Sequence, residues 1–302
     1  MGLFSRPDAA RVSVTPEVVR RRQTVTATVT TEKPIDKVSA ATLEWGYTNF
    51  YRYRWAGRAD SMANQMNDVW WFTGQVGTDA GSEKETDDWV CVTKVDLPVS
   101  PDNQFAGATS SFKVPSWAPG SSDELARWSA RLVIDRGGRD VDSHGVFTVL
   151  IGRDDAEFDE DPPRRTAGDG ETDLAIAVPS PVFVAGETIT GTITLTPRVD
   201  MSDGELGIQW GYRRISHPVT RTPAAGGGGK VGQTVKLGKG IPLRTGSPVT
   251  VPFTLSLPGD APPTGEAVHS SLVWFLEATL MYAKWTQGIE KVRRQIAVVS
   301  AP

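Results

Sequence analysis

The imidazoles of the chain are His144, His217 and His269, and its one thiol is Cys91. Nucleophilic catalysis needs a Ser or Cys with a base in reach, so it would have to pass through these groups. The three histidines are far apart in sequence, and no His-Glu-x-x-His pattern joins two of them. No Gly-x-Ser-x-Gly elbow occurs. Cys91 lies within Asp88-Trp89-Val90-Cys91-Val92-Thr93, an alternating stretch, and reads as a structural thiol. A single Cys excludes an intrachain disulfide and a Cys-based zinc site, and it fits a reducing compartment. Gly227-x-Gly229-x-x-Gly232 formally matches a dinucleotide fingerprint but has no βαβ unit around it, so it reads as a hairpin loop. Lys230 is followed by Val231, which rules out a Walker A loop. The inventory predicts no catalytic residue, no cofactor and no metal site.

Binding chemistry has two candidates. Trp70-Trp71-Phe72 sits in residues 56–88, a segment otherwise rich in Asn, Asp and Gly. Neighbouring residues of a strand point to opposite faces, so Trp70 or Trp71 can face solvent and anchor a partner. The alternative is that the insertion folds back and buries both. The second candidate is basic: Arg20-Arg21-Arg22, with Arg52, Arg54 and Arg58 further on. Arg52 and Arg54 share a strand face and could grip a phosphate or carboxylate, or pair with nearby acids.

The elements that must position these groups are strands. Thr24 to Thr30 alternates Thr with Val and Ala, and Ile189 to Thr196 alternates in the same way. A period of two means one buried face and one wet face. The two strands lie half a chain apart. Val12 to Pro16 resembles Ala175 to Pro179, and Trp45-Gly46-Tyr47 recurs as Trp210-Gly211-Tyr212. A nearly constant offset across these landmarks, growing only from 163 to 165 residues, predicts a duplicated domain. Strands are expected near 11–15, 23–31, 38–55, 89–97, 107–114, 127–135 and 144–151. The second set is near 173–178, 187–196, 205–214, 231–237, 247–257, 268–283 and 289–299. Ser122 to Trp128 could form one or two helical turns. Many short strands with Gly, Pro, Asn and Asp between them read as β-sandwiches.

Arg153 to Glu171 separates the copies and holds eight acids against three arginines. Pro162-Pro163, Gly168 and Gly170 interrupt regular structure there. The acids lack the Gly and late Glu of an EF-hand loop, so the segment is read as a surface linker. The expected layout is 1–152, a linker at 153–171, and 172–302.

The whole chain has 32 basic and 36 acidic residues, net −4. That disfavours general nucleic-acid or anionic-membrane binding. No run reaches the roughly 18 apolar residues of a membrane span, and Met1 to Pro7 carries no apolar run of signal-peptide length. A cytoplasmic protein without integral membrane association is expected.

The second half then becomes specific. Ala185-Gly186-Glu187-Thr188-Ile189-Thr190-Gly191-Thr192-Ile193 resembles the strand entry of arrestin-like domains. Val251-Pro252-Phe253-Thr254-Leu255-Ser256-Leu257-Pro258, followed by Ala261-Pro262-Pro263-Thr264-Gly265, resembles their Pro-Phe segment, and Ser271 to Leu280 resembles the next strand. The likeness is weaker in the first half, where Arg21-Arg22-Gln23 replaces Gly-Glu and Phe112 to Pro119 is a degenerate Pro-Phe segment. Within that superfamily the chain is most similar to the bacterial sporulation-control family. The resemblance implies two tandem immunoglobulin-type β-sandwiches, no catalysis, and a regulator, scaffold or adaptor that binds protein partners. The rivals are a carbohydrate-binding or surface-associated module and an enzyme on a β-sandwich.

Overall fold

The computed structural model describes residues 10–55, 82–137, 141–156, 158, 162–217 and 229–301. It is all-β and sandwich-like. The first half holds β1 (Ala10–Thr15), β2 (Val18–Arg20), β3 (Thr24–Ile35), β4 (Val38–Trp55), β5 (Ser82–Asp96), β6 (Phe105–Lys113), β7 (Ala126–Arg136) and β8 (Val141–Leu150). The second holds β9 (Arg164–Ala167), β10 (Thr172–Ala177), β11 (Val182–Val184), β12 (Thr188–Pro197), β13 (Gly204–Ser216) and β14 (Gly229–Val231). It continues with β15 (Val235–Ile241), β16 (Val249–Ser256), β17 (Gly265–Glu266), β18 (Ser270–Tyr282) and β19 (Ile289–Val299).

Alternation explains the strands. On β3, Val25, Ala27 and Val29 are buried while Thr24 and Thr28 are wet. On the wet face the Thr26 and Ser111 hydroxyls meet at 2.9 Å. β1, β3 and β6 form one antiparallel sheet. It faces a second sheet of order β2-β8-β7-β4-β5. Across the gap Trp45 of β4 stacks on Phe112 of β6 at 5.2 Å between ring centres.

The second half repeats this pairing order. β10-β12-β16 is the small sheet, and β11-β19-β18-β13-β14 is the large one, with β15, β17 and β9 added at its margins. β2 runs parallel to β8, and β11 runs parallel to β19. Tyr47 packs on Trp128 at 4.9 Å and 46°, and Tyr212 packs on Trp274 at the same distance and angle. Each of these indoles donates to a proline carbonyl: Trp128 to Pro119 at 2.8 Å, Trp274 to Pro262 at 2.9 Å. The repeated glycine of Trp-Gly-Tyr also has a reason. A Cβ at Gly46 would meet the Trp89 ring and the Val90 carbonyl, and one at Gly211 would meet the Phe275 ring.

Buried side chains of both halves join in one contiguous cluster. Phe253, Leu255 and Leu257 are buried together, as are Leu272, Trp274, Leu276 and Ala278. No helix among the described residues is long and apolar enough to cross a membrane.

The structure departs from the strand map in several places. Residues 122–128 make no helix; Ser122 bridges Ala126 and β7 begins there, because Ala126 and Trp128 are buried while Arg127 is exposed, a period of two. β5 starts at Ser82, so the end of the 56–88 segment is strand paired to β4. β9 lies within the expected linker, where β19 supplies a backbone edge for it. The single strand expected at 231–237 is two, β14 and β15, split at Gly232 to Thr234. β2 and β11 are too short to carry a readable period.

Candidate functional site

Inward positions of β4 run Leu43, Trp45, Tyr47, Asn49 and Tyr51, and those of β13 run Leu206, Ile208, Trp210, Tyr212 and Arg214. Asn49 and Arg214 are therefore polar residues in apolar registers. They are also 165 residues apart, the same offset as the Trp-Gly-Tyr repeats. Each is buried, and both lie where the two halves meet.

Asn49 is a fully buried clamp. Its Nδ2 donates to the Leu125 carbonyl at 3.0 Å and to Ser270 Oγ at 2.9 Å, and its Oδ1 accepts from the His269 amide at 2.7 Å. Ser270 in turn donates to the Phe50 carbonyl at 2.7 Å. β4 is thereby tied to the start of β18 through groups that have lost their water.

Arg214 is 3% exposed. Nη2 reaches Glu85 Oε2 at 2.5 Å, and Nη1 donates to the Glu124 carbonyl at 3.1 Å. Glu124 also accepts the Tyr212 phenol at 3.0 Å, and Glu85 accepts from Arg52 Nε at 2.6 Å. The Arg52 amide donates to Ser216 Oγ at 3.0 Å. Among the described residues Arg214 Nε has no hydrogen-bond partner. Burial pushes the Glu85 carboxyl up, but hydrogen bonds and charge from Arg52 and Arg214 outweigh it, and its pKa lies below the ordinary value. Burial, then the Glu124 carboxylate, pushes the Tyr212 phenol up to about 12.

Two clefts flank this junction. One, of about 510 Å³, is lined by Glu124, Tyr212, Lys230, Asp260 and Pro263 among others. The other, of about 580 Å³, is lined by Arg21, Trp117, Val268, Ser271, Val273 and Val299 among others. Trp117 and Val268 are 57% and 55% exposed at its margin. An exposed indole beside a cleft can anchor a protein partner.

Two of the three histidines meet here: the His217 amide donates to the His269 carbonyl at 2.9 Å. His217 Nδ1 lies 3.2 Å from the Val268 carbonyl and Nε2 lies 2.6 Å from Ser271 Oγ. With the proton on Nδ1, Nε2 accepts from the serine, as a general base would. Acyl transfer also needs donors for an oxyanion. The junction's strong donors, Asn49 and Arg214, are already committed to Leu125, Ser270, Glu85 and Glu124.

Trp70, Trp71 and Arg58 lie outside the described residues, as does the side chain of Arg54. The remaining basic candidates do not form one patch. Arg21 donates to the Ala118 and Asp155 carbonyls, Arg22 pairs with Asp155 at 2.9 Å, and Arg52 pairs with Glu85. Cys91 is exposed on β5; what burial it has, with the nearby Glu44 charge, pushes its thiol up, away from thiolate chemistry. Among the described residues no group of His, Cys, Asp and Glu could hold a metal ion.

Sequence reasoning missed Asn49, Arg214 and Trp117. For the first two a signal exists: a polar residue at an inward position of a long alternating strand. Trp117 sits in a Pro-rich turn with no period to read.

No protein-family model and no curated protein matches the chain.

Proposed function

We propose that the protein is a non-enzymatic adaptor of the cytoplasm, built as two tandem arrestin-like sandwiches and most similar to bacterial sporulation-control proteins. The repeated pairing order, the paired Tyr–Trp–proline carbonyl units and the Pro-Phe strand at Val251 to Leu257 support the tandem reading. The observation that carries the functional reading is the junction. Matched inward positions bury a polar residue against the other half, which fixes relative orientation, while the adjoining cleft presents Trp117 and Val268 to solvent. A cleft with an aromatic margin suits a protein ligand.

The test is site-specific photo-crosslinking in the source cell. A crosslinker at Trp117 should trap one discrete protein, and the same group at Val231, exposed on β14, should not. Crosslinking at Val268 should trap the same partner. Absence of a discrete product from both cleft positions, together with turnover of an ester that disappears in Ser271→Ala, would replace the adaptor with a hydrolase.

A further inference from the structure

A third cleft, of about 570 Å³, lies on the second half, and its lining includes Pro162, Arg164, Val273, Phe275, Arg293 and Gln295. Val273 and Phe275 alternate with the inward Leu272, Trp274 and Leu276, so its floor is the face of β18 turned away from the core. Phe275 is buried yet stands outside the core cluster. Gly211 lies against one side of its ring, and the Arg293 guanidinium covers it at 4.4 Å from the ring centre.

Charge on this face is unbalanced. Arg164 of β9 and Arg293 of β19 are register partners, so their side chains leave the same face of the sheet side by side. Like charges directly opposite one another are unfavourable. Among the described residues of β9, β18 and β19, Glu277 is the carboxylate on this side, and it is 3% exposed. It is already shared: Arg293 Nε donates to Oε2 at 2.5 Å, Gln209 Nε2 donates to Oε1 at 3.1 Å, and Lys291 Nζ lies 3.7 Å from Oε1. Among the described residues the two Nη groups of Arg293 have no acceptor, and Arg164 is exposed with no ion pair. Arg165 is committed elsewhere, to Asp173 and Glu290.

We infer that this cleft binds an extended acidic peptide segment of a partner, with one carboxylate bridging Arg164 and Arg293. A carboxylate between the two guanidinium groups accepts from both and turns their repulsion into attraction. The volume and the strand edge select a peptide over a small anion. The β9 ladder ends at Arg293 and the β11 ladder begins at Ala297, so the backbone of Gln295 has no strand partner on that side. A peptide can lay its backbone beside Gln295 and its apolar atoms on Val273 and Pro162. The arginines are partly solvated, so the attraction is sensitive to salt.

Fluorescence anisotropy of a labelled hexaglutamate peptide on the full chain tests this. The chain carries Asp159→Asn, Glu160→Gln and Asp161→Asn, so that the acids next to Pro162 in the sequence do not compete. Binding should saturate, and it should weaken as salt rises. Arg164→Gln and Arg293→Lys should each weaken it about tenfold. The first removes a charge; the second keeps a cation beside Glu277 but loses the guanidinium fork. Lys239→Gln, at an exposed cation of β15, and Trp117→Ala, in the neighbouring cleft, should leave it unchanged. No saturable binding overturns the inference, as does unaltered binding in both arginine variants. Equal weakening by Lys239→Gln would show diffuse attraction instead of a site and overturns it too. So does displacement of the label by inorganic phosphate as readily as by unlabelled hexaglutamate, which would make the cleft a small-anion site.

Discussion

At the scale of single residues, the junction turns on an asymmetry of burial. Arg214 is 4% exposed in its side chain, whereas its partners Glu85 and Glu124 are 57% and 40% exposed. Removing the arginine leaves carboxylates that water can reach. Removing the carboxylates leaves a cation that water cannot reach. The Glu85→Gln/Glu124→Gln variant should therefore lose more stability than Arg214→Met, by about 1–3 kcal/mol in denaturant titrations. Equal losses, or the reverse order, would mean that Arg214 is held mainly by the Glu124 carbonyl. The Glu85 contribution also has a sign in pH. Its folded pKa is depressed, so the stability it adds is present above the ordinary carboxylate value of 4.5 and is lost as pH falls through the folded pKa. Glu85→Gln should be less stable than wild type at neutral pH, and the gap should close on acidification below that value.

At the scale of elements, β9 shows how an acidic segment becomes ordered. Glu290 of β19 is 1% exposed, and its Oε1 accepts the Gly170 amide at 2.8 Å and the Glu171 amide at 3.1 Å. Gly168 has φ +93°, and a Cβ there would collide with the Glu290 carboxylate. The segment is thus docked by backbone amides around one buried carboxylate, with Arg165 3.7 Å from its other oxygen. Glu290→Ala should release β9: amide exchange should rise across 164–171 while β12 and β16 keep their protection, at a cost of about 1–3 kcal/mol. Unchanged exchange there would place the docking energy in the β9–β19 ladder itself. The sequence showed eight acids and a pair of prolines and so read as a linker. The buried Glu290 that organises it lies over a hundred residues away.

At the scale of the whole molecule, the junction couples the halves. Asn49 ties β4 to Leu125 in its own half and to His269 and Ser270 in the other. Wild type should melt in one calorimetric transition, because neither half keeps these buried groups satisfied without the other. Asn49→Ala/Arg214→Met should separate the melt into two transitions, one for each proposed sandwich. A single transition in that variant would mean that the apolar cluster, not the polar clamp, enforces cooperativity.

The sequence by itself determined the all-β character, most strands, and the inward faces of β3 and β12. These follow from a two-residue period, which is local and survives without knowledge of neighbours. It also exposed the repeat, since Trp45-Gly46-Tyr47 and Trp210-Gly211-Tyr212 keep their offset. Tertiary structure decided what Asn49 and Arg214 do. Both sit in positions that pattern alone assigns to the core, and only the arrival of β18 at one and of Glu85 and Glu124 at the other supplies partners. It also decided that Arg52 is tied to Glu85, that Trp117 stands at a cleft, and that β5 begins at Ser82. Each of these depends on contacts between residues far apart in the chain, and chain proximity in space is not encoded in any local period.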